Sequence, residues 1–153
     1  MGAAPATAIL WPAVAMAGLT FLVWVRLYQL RLGEMARKRI RAQALASAAD
    51  SVRLLSDTRA SDNFRNLFEL PVLFYAGVLL AAHIGVSDMV SLALAWAFVG
   101  LRAVRSAVHC TFNHVMMRFV AYVQATLVLI AAWARLAFAL AAAGPPIPNS
   151  RPH

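Results

Sequence analysis

The residues best suited to chemistry are ionisable side chains that recur at helical spacing beside long apolar segments. Arginine guanidinium groups bind carboxylates and phosphates through paired hydrogen bonds, and nearby positive charge favours a thiolate over a thiol. Such groups are costly inside a bilayer and tend to face the interior of a helix bundle. The chain carries three groups of them: Arg65, Asn66 and Glu69; Arg102, Arg105 and His109; and Arg118 with Tyr122.

Within each group the spacing places the side chains on one face of a helix, because residues three or four apart lie one above the other. Arg65 and Glu69 are four residues apart and are available as an ion pair. Together the groups predict a basic pocket with one carboxylate, suited to a small zwitterionic and mostly anionic ligand. Two plainer interpretations stay open. The arginines are anchors that reach the headgroups, or Arg65 and Glu69 form a structural pair that holds no ligand.

The elements that position these residues are predicted to be membrane-spanning helices. Of the 153 residues, 62% are hydrophobic and 13% are charged, whereas soluble domains carry roughly 25% charged residues. Apolar blocks occur near residues 8–31, 63–84, 88–108 and 117–142, and a spanning helix needs about 20 residues. The sequence predicts an all-α, integral membrane four-helix bundle that forms one domain over residues 1–153, with a polar connection at 32–62.

Charge placement predicts how the bundle is oriented. The net charge is +8, and most Lys and Arg residues gather around the 32–62 and 109–117 connections. The positive-inside rule makes that face cytoplasmic and puts both termini on the other side. Because the basic residues flank apolar segments, they favour contact with membrane lipid, and nucleic-acid binding is not predicted.

Smaller sequence features predict a turn before the third block and argue against a disulfide and a metal site. Gly85 opens a tight turn before the third block, with Ser87 or Asp88 as the N-cap of the following helix. The lone cysteine, Cys110, excludes an intrachain disulfide. Cys110 and His114 are four residues apart, but two ligands do not make a zinc site, and no metal is predicted.

The segment 63–71 resembles the Arg-Asn-x-x-Glu signature of the MAPEG family, the membrane-associated proteins in eicosanoid and glutathione metabolism. It matches that signature at Arg65, Asn66 and Glu69. The third and fourth blocks are similar to the family's run of basic residues and tyrosine at Arg102, His109, Arg118 and Tyr122. Chain length, four spans, the long first connection and the charge sidedness also agree with the family.

The resemblance implies a homotrimer of a bacterial-type member in the inner membrane, with glutathione as cosubstrate between neighbouring subunits near the cytoplasmic face. It implies that Arg118 stabilises the glutathione thiolate. The other residues it assigns to glutathione binding are Arg65, Asn66, Glu69, Arg102, His109, Tyr122 and, from the first connection, Lys38. Arg105 joins this predicted site through its helical spacing from Arg102 and His109.

Two functions follow as hypotheses. The first is a glutathione-dependent transferase or peroxidase-like enzyme acting on small apolar electrophiles that arrive from the lipid. The second is a non-catalytic scaffold of the same fold that binds a lipid or a thiol, which is favoured where the chain departs from the family pattern at Asp62, Arg105 and Phe119. A small transporter is a weaker third interpretation, because the two halves of the chain show no repeat.

Overall fold

The computed structural model describes the backbone of residues 6–40, 59–110 and 115–142, and the side chains of 7–40, 68–108 and 116–142. A short 3-10 helix, Ala6–Leu10, leads into α1 (Trp11–Lys38). It is followed by α2 (Arg59–His83), α3 (Met89–Cys110) and α4 (Val115–Ala142). Every regular element in these ranges is a helix, as the all-α prediction requires.

Among the described residues, length and composition allow three segments to cross a membrane: Thr7–Lys38, Met89–Val108 and Met116–Ala142. Within the described side chains of α2, the apolar segment Phe68–His83 is shorter than these three. Both helices that flank the predicted 32–62 connection reach into it. Helix α1 continues past residue 31 to Lys38, and α2 begins at Arg59.

A residue with left-handed backbone conformation follows the end of both α1 and α2. Arg39 has φ 52°, and the amide of Ile40 donates to the Met35 carbonyl at 3.0 Å. Gly85 has φ 75°, and the amide of Val86 donates to the Ala81 carbonyl at 2.8 Å. This pairing closes the last turn of a helix, and at Gly85 the absence of a Cβ removes the steric cost.

The Gly85 turn sends α3 back alongside α2, and α4 packs extensively on α3. The helices alternate in direction, and the two ends of the bundle differ in composition. We call the end that holds the C-terminal turns of α1 and α3 and the first turns of α2 and α4 the arginine-rich end. The other end is the Gly85 end.

Large apolar side chains divide between an interior core and an exposed outer surface. Met16 and Phe98 are 0% and 1% exposed, and the rings of Phe74 and Phe98 stack with centroids 4.6 Å apart. Phe21 and Phe138 are 69% and 76% exposed. An outward apolar surface of this kind suits lipid tails or a neighbouring subunit, while close packing rather than water exclusion holds the interior together.

Candidate ligand-binding site

Two arginines near the C-terminal end of α3 are buried inside the bundle. Arg102 is 1% exposed and Arg105 is 8% exposed. A guanidinium withdrawn from water costs several kcal/mol unless other groups compensate for its lost hydration. An interfacial anchor keeps its charged group in water, so the burial of these two residues is unlike that of an anchor.

Helix α4 brings an arginine and a tyrosine to the same place. The guanidinium carbon of Arg105 lies 5.0 Å from the centre of the Tyr122 ring, a separation at which a cation is attracted to the face of an aromatic ring. Arg118 precedes Tyr122 by four residues and is close enough to Arg105 to repel it electrostatically. The helical spacing of Arg118 and Tyr122 thus places both at the C-terminal turns of α3.

Helix α2 contributes the carboxylate. Glu69 acts electrostatically on both Arg102 and Arg105, and its side chain is exposed on the surface of the single chain. We call Glu69, Arg102, Arg105, Arg118 and Tyr122 the arginine cluster. Its three guanidinium groups and one carboxylate leave a surplus of positive charge, which an anionic ligand would balance.

The cluster also offers an available hydrogen-bond donor. The buried Nε of Arg105 has no hydrogen-bond partner among the residues that the structure describes. A buried donor without an acceptor costs about 1–3 kcal/mol. A carboxylate or phosphate oxygen is the acceptor that a guanidinium binds most strongly, so the chemistry of the cluster fits an anion with such oxygens.

The sequence predicts four further site residues that the structure does not show in the cluster. Arg65 and Asn66 belong to α2, about one turn before Glu69, and His109 belongs to α3, one turn after Arg105. The side chains of these three lie outside the described residues. Lys38 ends α1, where its Nζ lies 2.7 Å from Glu34 Oε1.

Glu34 is a buried carboxylate that the sequence interpretation did not single out. It is 6% exposed, although it lies in the last turn of α1 beside Arg37 and Lys38. Its four-residue spacing from Lys38 was a signal for an ion pair. That spacing could not show its burial, because the sequence interpretation placed residue 34 in a polar connection.

A second polar network closes the Gly85 end. The Asp88 carboxylate caps α3, since its Oδ1 accepts from the amides of Val90 at 3.0 Å and Ser91 at 3.1 Å. Its Oδ2 accepts from the Ser91 hydroxyl at 2.9 Å. Arg135 of α4 donates through Nη2 to Asp88 Oδ1 at 2.7 Å and through Nε to Ser91 Oγ at 3.0 Å.

This network changes the acidity of Asp88. Partial burial raises the pKa of the carboxyl, but the hydrogen bonds from Ser91 and the positive charge of Arg135 outweigh it, and the pKa falls to about 2. Asp88 was one of two predicted N-cap residues, and the structure shows that its carboxylate provides this cap. Its partner Arg135 was not predicted.

The fold and the cluster define an all-helical membrane protein with a basic, partly buried group of side chains at one end. The family model of the MAPEG family matches residues 9–138. The chain therefore belongs to the MAPEG family, and it is an integral membrane protein built as a four-helix bundle and related to glutathione and eicosanoid metabolism. Searches of the curated proteins and of the solved structures find no match.

Proposed function

We propose that this protein is a membrane-bound, glutathione-dependent transferase or peroxidase-like enzyme that acts on small apolar electrophiles. The observation that carries the proposal is the burial of Arg102 and Arg105, 1% and 8% exposed, within a cluster that holds surplus positive charge. A bilayer-embedded bundle retains buried ionisable groups mainly where they serve a function. Membership of the MAPEG family supports glutathione as the ligand that supplies the matching negative charge.

Glutathione carries two carboxylates, one ammonium group and one thiol, and the proposed site offers a partner for each. Arg102 and Arg105 bind carboxylate oxygens, and Glu69 binds the ammonium group or holds the arginines in place. Arg118 lies beside the thiol and favours its ionised form, since positive charge nearby lowers a thiol pKa. Each unit by which the thiol pKa falls corresponds to about 1.4 kcal/mol in favour of the thiolate.

The bond-forming step follows from that arrangement. The sulfur of the thiolate donates an electron pair to the electrophilic carbon, and a leaving group departs with the electrons of the broken bond. Apolar helix surfaces next to the cluster admit the electrophile from the lipid, and the fixed positive charges stabilise the anionic sulfur. The protein thus supplies binding and electrostatics, and glutathione supplies the nucleophile.

The remaining parts of the proposal come from the family resemblance. Arg65, Asn66, His109 and Lys38 are the further glutathione contacts. The assembly is a homotrimer, in which the exposed Glu69 carboxylate faces a neighbouring subunit. The arginine-rich end lies on the cytoplasmic side of a bacterial inner membrane, with both termini on the opposite side, because basic residues are retained in the cytoplasm.

The test is to measure thiolate formation and turnover in the purified protein in detergent. Adding glutathione should produce the ultraviolet absorbance of a thiolate at neutral pH, and 1-chloro-2,4-dinitrobenzene should then be conjugated. Arg118→Ala should lose most of both signals. Arg37→Ala is the matched control, because Arg37 is an exposed arginine at the end of α1, and it should retain both.

The outcomes separate the enzyme from the alternative. Glutathione binding by equilibrium dialysis with neither thiolate nor conjugation would reject the enzyme and support a non-catalytic scaffold. Loss of both signals in Arg37→Ala as well as Arg118→Ala would show that the cluster is not specifically responsible. Absence of glutathione binding would reject the enzyme and a glutathione-binding scaffold, and would leave only a scaffold that binds lipid.

A further inference from the structure

A small cavity lies between α2, α3 and α4 at the Gly85 end of the bundle, away from the arginine cluster. Its volume is about 40 Å³. One water needs about 10–15 Å³ of such volume, so the cavity has room for about three water-sized groups. Among the described residues that line it, none is ionisable, and Phe74 and Phe98 line the side nearer the arginine cluster.

One polar atom in the cavity wall has no partner. The indole Nε1 of Trp133 is buried and finds no hydrogen-bond acceptor among the described residues. Gly77 lies directly beside it, since a Cβ on Gly77 would lie 3.4 Å from Cε2 and 3.5 Å from Nε1 of Trp133. Both residues line the cavity, so the missing side chain of Gly77 leaves space next to a buried donor.

Water is a poor occupant of this space. A buried water makes two to four hydrogen bonds, and the cavity wall offers few polar groups. Besides the Trp133 indole, its lining includes the hydroxyl of Ser91, which already donates to Asp88 and accepts from Arg135. The wall therefore matches a molecule that is apolar over most of its surface and carries one acceptor.

We propose that this cavity binds a neutral, mostly apolar molecule with one hydrogen-bond-accepting oxygen, of the ketone or ester class, and that the oxygen accepts from Trp133 Nε1. A charged ligand is disfavoured because the cavity wall has no ionisable partner for it. A molecule longer than the cavity extends out through its open side, since the cavity is only partly enclosed. The site lies outside the arginine cluster and does not depend on glutathione binding.

The first test uses 2-pentanone and pentane, which have the same carbon chain and differ in one oxygen. The full chain in detergent is heated with each probe, and its unfolding temperature is measured, because a ligand of the native state raises that temperature. The ketone should bind about fivefold more tightly than the alkane through its one added hydrogen bond. Equal effects of the two probes, or no effect of either, would overturn the proposal.

Two glycine variants provide the matched comparison. Gly77→Ala places a methyl group against Trp133, in the space beside Nε1 that the ligand oxygen would occupy, so it should abolish the preference for 2-pentanone over pentane. Gly100→Ala also adds a methyl group within a helix, but it meets nothing within 4 Å. It should respond as the native protein does. A native-like response in Gly77→Ala would overturn the proposal.

The hydrogen bond has its own readout. Changing the three other tryptophans, Trp11, Trp24 and Trp96, to phenylalanine leaves Trp133 as the only indole, and all three are exposed. In that protein 2-pentanone should shift the Trp133 emission to longer wavelength, and pentane should not. Trp133→Phe should then bind both probes equally. An emission that 2-pentanone leaves unchanged would contradict the assigned donor.

Discussion

Replacing Asp88 separates two interactions that the native carboxylate makes at once. Its Oδ1 accepts from two backbone amides at the start of α3 and also from Arg135 of α4. Asp88→Ala removes the helix cap and the ion pair together. Asp88→Asn keeps a capping oxygen and removes only the charge, since asparagine caps helices about as well as aspartate.

The expected losses follow from the geometry. Loss of an N-cap costs about 1 kcal/mol. The ion pair adds little, because the Asp88 and Arg135 side chains are 41% and 40% exposed, and pairs with that exposure contribute about 0.5 kcal/mol. We expect Asp88→Ala to lower the free energy of unfolding by about 1.5 kcal/mol, a factor of about ten in the equilibrium constant, and Asp88→Asn by about 0.5 kcal/mol.

The assay is reversible unfolding in mixed micelles, followed by the far-ultraviolet circular dichroism of the helices. Arg135→Gln, alone and combined with Asp88→Asn, completes a double-mutant cycle that isolates the pair energy. Both partners are partly exposed, so these variants leave the core packing unchanged.

One result would refute this reasoning. If Asp88→Asn lost as much stability as Asp88→Ala, the charge rather than the cap would dominate. The small energy assigned to the exposed pair would then be wrong. A coupling energy well above 1 kcal/mol in the cycle would lead to the same conclusion.

The other predictions concern pH, the core and the arginine cluster. The folded pKa of Asp88 is about 2, below its unfolded value near 3.9. The ionised carboxylate therefore stabilises the native protein above about pH 4, and about 0.5 kcal/mol after allowance for exposure is lost as pH falls through 2. Acid titration of unfolding should show this in the native protein and not in Asp88→Asn. Phe98→Ala removes the ring stacked on Phe74 and should cost on the order of 2 kcal/mol in the same micelle assay, less than in a soluble core because lipid replaces water outside. Tyr122→Leu removes the ring under Arg105 and should weaken glutathione binding about fivefold by calorimetry, while Tyr122→Phe retains the ring and most of the affinity.

Much of the fold could be predicted from residue order. Apolar blocks of spanning length predict helices, and Gly85 followed by Asp88 predicts a helix end and a new helix start. These signals are local, because backbone hydrogen bonds and caps form between residues close in sequence. The apolar pattern does not predict how far a helix extends beyond its apolar block, since polar sequence such as 32–38, rich in helix-forming residues, continues α1 to Lys38.

Helical spacing also predicted which side chains share a face, but not what faces them. Arg102 and Arg105 fit an interfacial anchor and a buried site equally well as sequence, and only packing shows them buried with Tyr122 against Arg105. The pairing of Asp88 with Arg135 joins residues 47 apart. Such contacts depend on how the helices rotate and cross, which is settled by the fit of many side chains at once and leaves no periodic trace in the chain.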